Sequence, residues 1–477
     1  MRYLSFFSVI AFSFLFVTAT NAQETWDLAK CIQFAQQNSL QVKQANLSVR
    51  NANLLQKQAE YNRYPTLNAS GGGNLSFGRT IDPVSNEFVS ESFGSNSFSV
   101  NAGATVYNGG RINNTIKQSG LDTEAAKKDA EVTTNDLALN IASAYLSILL
   151  AEEQLETAQQ RFTVSQEQLE RTDRLIQAGA LPANDRLDFV AQIARDEQAI
   201  VNAQNSVDIN YLNIKQLMEM SPDFDLRIQK PEVVIPADAA PGLYDLRTVY
   251  NQALGTQPQV EAGEIRTKSA QLGIDIAKAG KLPSVTVFGN VNTFWSSRSP
   301  RIESEMDVLV PIDFILPSGE PFTVFSEESI PTFGKTPYFE QLGSNFGQGL
   351  GVSVSVPIFN QYRNDINMQR AELGVTQQEL QNDQVKQTLK QNIQRAIADA
   401  RAAEKSLAAA ESTIDATRQA YENAQKRFDL GAINAFELTT AKNNFDNAEI
   451  DLISAKYQYL FNIKVVEFYQ GQPLTLD

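Results

Sequence analysis

The sequence of 477 residues has no histidine, so the commonest general base and the commonest transition-metal ligand are both missing. It has one cysteine, Cys31, which excludes an intrachain disulfide and every multi-cysteine zinc pattern. Leu28-Ala29-Lys30-Cys31 faintly resembles a lipid-attachment box, but Lys30 is unsuited to the place beside the cysteine, so Cys31 reads as packed on a first helix. Gly71-Gly72-Gly73 is followed by no lysine and forms no phosphate loop. No Ser/His/Asp or Cys/His set exists, so an enzyme is not expected, and neither is a cofactor. Basic charge is also scarce, with 40 Lys and Arg against 55 Asp and Glu for a net charge of -15. That balance gives no electrostatic footprint for nucleic acid and repels an anionic membrane surface.

Long apolar runs are lacking as well. The one candidate is the start: Met1-Arg2 is basic, residues 4–17 are apolar, and Thr20-Asn21-Ala22 ends in small residues suited to cleavage. The run falls short of the ~20 residues that a spanning helix needs. Residues 1–22 therefore read as a signal peptide and the chain as exported.

What is present is a repeat. In each half a helical stretch meets a proline, at Tyr64-Pro65 and Leu282-Pro283. Alternating segments rich in glycine and serine follow, then a marker: Val106-Tyr107-Asn108-Gly109-Gly110-Arg111 in one half and Pro357-Ile358-Phe359-Asn360-Gln361-Tyr362-Arg363 in the other. A very long helical pattern comes next and breaks at Gly179-Ala180-Leu181 and at Gly431-Ala432-Ile433. The halves are assigned to residues 23–220 and 243–477, joined by a linker at 221–242. The hairpin tips lie near 179–185 and 431–437.

The long helices carry apolar or small residues at alternating spacings of four and three. The first stripe is Leu137, Ile141, Ala144, Ile148, Ala151, Leu155, Ala158, Phe162, Ser165, Leu169, Thr172 and Ile176. The second runs from Leu389 through Ile393, Ala396, Ala400, Ala403, Leu407, Ala410 and Ile414 to Phe428. A sustained repeat of 3.5 residues predicts a coiled-coil seam. The first of these helices would span roughly 100 Å, and a return helix from about residue 187 to 220 would cover half of it. The helix before each proline is expected to cover the remainder.

Four segments alternate at period two, at about 64–77, 96–107, 283–295 and 346–359. None contains Asp, Glu, Lys or Arg in a chain that is 20% charged. A soluble sheet with one wet face would place charge there, whereas a membrane wall excludes it. Four strands cannot close a barrel, and open edges are not tolerated in hydrocarbon. The wall must be shared between chains. Three copies give about twelve strands and four about sixteen, and this argument does not choose between them.

In this order of elements the sequence resembles the TolC-like outer membrane efflux protein family, over essentially the whole chain after the signal peptide. The resemblance rests on the tandem halves, the proline at each helix-to-strand junction, the two markers and the glycine-centred turns. It implies a mixed α and β membrane protein: a trimeric twelve-stranded β-barrel, four strands per chain, continued by a long α-helical coiled-coil tunnel in the periplasm. It implies a passive exit channel in the outer membrane of a Gram-negative bacterium. The expected partners are two further copies of the chain, a periplasmic adaptor protein and an inner-membrane transporter. It assigns adaptor docking to Gly179, Ala180 and Leu181 and to Gly431, Ala432 and Ile433. Acidic residues that constrict the closed entrance map onto Asp185 and Glu437. The sequence departs from the family pattern at Ile433, where some members carry an arginine that braces the tip, and at Thr440, where they carry an aspartate. The loop at 296–345 is expected to form a small extra hairpin outside the cell, as a partial lid or surface epitope. An exported structural or adhesive coiled-coil protein is the alternative, and it leaves the charge-free segments without a purpose.

Overall fold

The computed structural model describes residues 25–81, 86, 88–90, 92–179, 181–231 and 244–474. The signal peptide, Ala180 and the linker from 232 onward lie outside the described residues. Two units are present. The first comprises the residues up to Arg50, Glu124–Ile265 and Leu380–Asp477, and the second Asn51–Thr123 and Arg266–Glu379.

Helices come in matched sets. α1 (Leu28–Asn38) and α2 (Leu40–Tyr61) open the first half, and α5 (Leu246–Thr256) and α6 (Pro258–Ala279) open the second. Asp27 caps α1 by accepting from the Lys30 N–H at 2.7 Å, and Asp245 caps α5 by accepting from the Thr248 N–H at 3.0 Å. The sequence reading expected one helix ahead of each proline, and the structure has two in tandem. Gln257 leaves the helical region because it precedes Pro258, which disfavours the α conformation there and then starts α6 well. Ser39 breaks the first pair at the matching place while its N–H still bonds the Ala35 carbonyl at 2.8 Å. The long helices are α3 (Arg111–Gln177) and α8 (Arg363–Asp429), 67 residues each, and their returns are α4 (Asp185–Leu217) and α9 (Ala435–Tyr469).

The coiled-coil stripe is where the first unit buries its side chains. Leu389, Ile393, Ala396, Ala400, Ala403, Leu407, Ala410, Ile414 and Phe428 are all buried on α8. On α3 the stripe members Leu137, Ile141, Ile148, Ala151, Ala158, Ser165 and Thr172 are buried. Alanine at every second or third stripe position lets the helix axes approach closely. One cluster gathers Trp26, Cys31, Ile141, Tyr145, Ile148, Leu149, Ile214 and Met218. The Tyr145 hydroxyl, fully buried, donates to the Trp26 and Gln229 carbonyls and so fastens the segment after α4 to α1's leading residue. Cys31 has no exposed surface, and burial pushes its thiol up to about 12, which leaves it an inert packing residue.

The second unit is built on a four-stranded antiparallel sheet of β1 (Thr66–Ser76), β4 (Phe93–Asn108), β5 (Ser284–Ser296) and β8 (Gly347–Ser355), in that order. Two strands come from each half, and the halves meet at β4 and β5. The fourth strand is shorter than expected and ends before Val356. Register places Leu67, Ala69, Phe98, Val100, Ala102, Val287, Val291, Leu350, Val352 and Val354 on one face. The other face carries Asn68, Ser70, Ser99, Asn101, Thr286, Asn290, Asn292 and Ser353, interrupted by Phe288. Glycine makes room across the ladder: a Cβ at Gly351 would meet the Phe288 ring at 2.5 Å, and one at Gly349 the Asn290 side chain at 2.6 Å. Val106 does not continue the apolar face of Phe98, Val100 and Ala102. It is instead the extra residue of a β-bulge, and Tyr107 stands opposite Val285.

The marker after each strand pair turns the chain into the long helix through two consecutive left-handed residues, Gly109-Gly110 in one half and Gln361-Tyr362 in the other. The second pair adopts this conformation at a cost of roughly 1–2 kcal/mol per residue. In the first half glycine is also needed for space, since a Cβ at Gly109 would lie 2.8 Å from that of Leu282.

Between the paired strands the halves diverge. Among the described residues the first has β2 (Thr80–Ile81) against β3 (Phe88–Val89). The second has a long hairpin, β6 (Pro300–Ile315) and β7 (Pro321–Lys335), followed by α7 (Tyr338–Ser344). The small extra hairpin expected in the 296–345 loop is thus a long one that takes up most of it.

Leu350, Val352 and Val354 on the edge strand β8 are 85%, 65% and 62% exposed, which water does not favour. On the reading of this face as lipid-facing, Val352→Lys is expected to cost about 2–4 kcal/mol, and Ser353→Lys on the polar face much less. Folding yield into lipid vesicles measures the difference.

Candidate functional site at the helical tips

Each long helix is stopped by a left-handed glycine. Gly179 has φ of 72° and its N–H bonds the Ile176 carbonyl at 2.9 Å. Gly431 has φ of 69°, its N–H bonds the Phe428 carbonyl at 2.9 Å, and the Ala432 N–H reaches back to Arg427 at 2.8 Å. The second set is a Schellman closure, which satisfies the last carbonyls of α8. No atom lies within 4 Å of a Cβ built on either glycine, so backbone conformation and not crowding selects glycine there. Asn434 then caps α9, its side chain accepting from the Glu437 N–H at 2.9 Å.

The two turns share one core. Phe189, Phe428, Ile433, Ala435 and Leu438 are buried together, with Leu169, Leu175, Leu181 and Tyr421 against them. The Phe189 and Phe428 rings meet edge to face, 5.9 Å between centroids. Arg171 pairs with Asp429 at 2.6 Å and joins α3 to α8. Ile433, at the place where the resemblance expects a bracing arginine, is 8% exposed and its side chain packs inside this core. Leu181 is half-buried in it. Ala180 lies outside the described residues.

Asp185 and Glu437 both lie in first turns, Asp185 as the leading residue of α4 and Glu437 behind Ala435 and Phe436 in α9. The Asp185 carboxyl is half-buried, and burial together with neighbouring Asp188 pushes its pKa upward. Glu437 is exposed. Among the described residues no ion pair engages either group.

Two features of the tips were missed from sequence. Leu430, Phe436 and Leu187 are 84%, 68% and 64% exposed, an apolar rim around the turns. Only Leu430 stands beside a turn glycine, and no local pattern in the sequence marks the three together as exposed. The second feature is a buried polar girdle. Ser165 on α3 donates to Asp196 on α4 at 2.5 Å, and Gln192 donates to the same carboxylate at 2.8 Å. On α9, Lys442 pairs with Asp446 at 2.8 Å, and Arg161 of α3 lies 3.7 Å from Asp446. Lys442, Asp446, Asp196 and Gln192 are each less than a tenth exposed. Below them in the antiparallel register stand Gln168 and Thr439, with buried polar atoms that have no protein partner. Such a network sets helix register and orientation at some cost to stability.

The chain matches the family model for outer membrane efflux proteins over residues 31–218 and 249–464. It belongs to that family and is an outer membrane protein of a Gram-negative bacterium. Outer membrane protein TolC of Escherichia coli (strain K12) is 22% identical over 247 residues, 50% of either chain. The chain thus spans about half the length of the curated relatives it matches. Among solved structures, CusC aligns with a TM-score of 0.72 at 17% identity, covering 94% of this chain and 92% of that one. VceC of Vibrio cholerae aligns with a TM-score of 0.71 at 15% identity, covering 93% and 96%. The mixed fold with its two repeats is therefore the outer membrane efflux fold.

Asp446→Ala leaves Lys442 and Arg161 buried without their counter-charge. The expected loss is about 3–5 kcal/mol, and Arg161→Met, Lys442→Met and Asp446→Leu together should recover most of it. Chemical denaturation of the helical signal reads both.

For Asp185, a pKa raised in the folded state means that folding is penalised once the carboxyl ionises. The penalty is absent below the ordinary aspartate range and sets in as pH rises through the raised value. Asp185→Asn is therefore expected to melt higher than the parent at pH 7, with the gap closing below pH ~4. Thermal melts at the two pH values decide it.

Proposed function

We propose that the chain is one protomer of a trimeric exit duct in the outer membrane, through which small molecules or proteins leave the cell. The carrying observation is the charge-free sheet with two unpaired edges, β1 and β8, in a chain that also bears two matched coiled-coil hairpins. Three such sheets joined edge to edge make a closed wall of twelve strands with its Leu/Val face on lipid and its Asn/Ser face on the lumen. The duct is passive and performs no chemistry. An inner-membrane transporter supplies the energy and a periplasmic adaptor couples the two. The adaptor docks on the turns at Gly179, Ala180 and Leu181 and at Gly431, Ala432 and Ile433. Leu430, Phe436 and Leu187 supply the apolar contact there, since the Ile433 side chain is engaged in the tip core. Asp185 and Glu437 form the entrance gate. Three copies of each near one axis concentrate cations and oppose anions.

Native mass spectrometry of detergent-solubilised protein is expected to give a trimer and no folded monomer. In planar bilayers the trimer should conduct with cation preference. Combining Asp185→Ala with Glu437→Ala should shift the reversal potential in a salt gradient toward zero and weaken block by multivalent cations while trimers persist. A stable folded monomer would refute the shared wall. A double mutant that matches wild type in both electrical readings places the gate elsewhere.

A further inference from the structure

The β6/β7 hairpin is not a loose loop. Its base is held by a buried, satisfied clamp. Gln341 of α7 accepts from the Ser296 N–H at 2.9 Å and donates to the Ser296 and Thr336 carbonyls at 3.0 and 2.8 Å. Ser296 is wholly buried and Gln341 is 2% exposed. The Thr336 N–H bonds the Ser299 carbonyl at 3.0 Å, and Arg301 pairs with Glu340 at 3.0 Å. The Asn345 side chain donates to the Phe294 carbonyl at 2.9 Å. Clamping of this kind fixes the direction of the strands that leave it.

Those strands have two unlike faces. The register places Met306 with Ile330, Val308 with Glu328, Val310 with Ser326, Ile312 with Val324, and Phe314 with Phe322 on one of them. The other carries Glu305 with Pro331, Asp307 with Ser329, Leu309 with Glu327, Pro311 with Phe325, Asp313 with Thr323, and Ile315 with Pro321, so that acidic residues interrupt its apolar ones. The Ser329 and Thr323 hydroxyls donate to Asp307 and Asp313 at 2.7 and 2.6 Å, which confirms the pairing. One face thus has four carboxylates and the other has one. On the apolar face Met306 is 61% exposed, Phe314 52%, Phe322 53% and Ile330 47%. An exposed apolar face on a hairpin clamped at its base marks an interface.

We infer that the Met306/Ile312/Phe314 face of the β6/β7 hairpin packs against the same hairpins of neighbouring copies. Two observations favour a second copy as occupant. The hairpin lies between β5 and β8 in the chain, and β8 is an open edge of the sheet, so each hairpin is anchored one strand from the junction where a copy must pair. The hairpin also carries seven carboxylates against Arg301 and Lys335. Copies can meet only through the face that lacks most of them, which leaves Glu305, Asp307, Asp313 and Glu327 facing water. The inference rests on the shared-wall reading above.

Single cysteines test it in the full-length trimer, because native Cys31 is buried and unreactive. Ile312→Cys and Met306→Cys are expected to form chain-to-chain disulfides under mild oxidation. They should label with a bulky maleimide about tenfold more slowly than Asp313→Cys and Asp307→Cys, the factor that about 1.4 kcal/mol of packing supplies. Equal labelling on the two faces without cross-links, in a trimer that still conducts, would overturn the hairpin contact alone. Cross-linking to a different outer-membrane protein would overturn it in favour of a foreign partner. Failure of the unmodified protein to form a conducting oligomer would overturn the duct reading and the contact with it.

Discussion

An unpaired strand edge that bears no charge is the constraint on which the rest of this molecule turns. β1 and β8 present a row of backbone donors and acceptors at each side of the sheet, and neither strand contains the lysine, proline or inward charge that soluble proteins use to discourage pairing. In water such edges invite aggregation, and in hydrocarbon each unmet group costs several kcal/mol. The only stable outcome is a neighbour on both sides. From that follow the two halves, which supply two strands each. From it follows also the segregation of faces, since a wall between lipid and lumen must be Leu/Val-rich on one side and Asn/Ser-rich on the other.

Coiled-coil geometry answers a different need. A helix of 67 residues is not stable alone at this mean polarity and requires a partner along its length. The returns α4 and α9 are 33 and 35 residues long. Helices α1 with α2 and α5 with α6 are the natural complement, and their breaks at Ser39 and Gln257 allow each pair to change direction. Alanine in the stripe gives close approach but little register information, because one alanine layer resembles the next. The buried Arg161, Lys442 and Asp446 group and the Ser165, Asp196 and Gln192 group supply that information, since a slip by one heptad would leave buried charge unmatched.

Much of this was legible in the sequence, and the reasons differ by element. The stripe from Leu389 to Phe428 could be read because a 3.5-residue period sustained over many turns has no competing explanation. The four strands could be read because alternation coincided with the absence of charge. The bulge at Val106 could not, since an extra residue leaves the composition of a strand unchanged and appears only in the register. The length of β6 and β7 was hidden by Glu303, Glu305, Asp307, Glu327 and Glu328, which resemble a solvated loop until cross-strand pairing shows that most of them share a face. The polar girdle was hidden for the opposite reason. Ser165 fits the stripe as a small residue, while its partner Asp196 and the Lys442–Asp446 pair lie on helices whose ordinary surface also carries charge. For the tips, the turn glycines were visible and their conformation follows from elementary sterics. The burial of Ile433 and the exposure of Leu430 and Phe436 depend on which side of a closed turn each residue falls, and no local pattern encodes that.

The pattern of likeness between the halves is itself informative. They agree where a neighbouring element must be met: the aspartate caps at Asp27 and Asp245, the helix breaks, the prolines before β1 and β5, the left-handed pairs after β4 and β8, and the turn glycines. They agree in backbone even where the side chains do not, as Gly109-Gly110 and Gln361-Tyr362 show. A conformation kept at an energetic cost by non-glycine residues is one that the architecture requires. The halves part company between the paired strands, where two residues on each side suffice in β2 and β3 while β6 and β7 run to 16 and 15. Nothing in the wall or the coiled coil demands that extension, since the first half meets the same structural task without it. Its clamp, its register and its unlike faces must therefore serve something the two halves do not share.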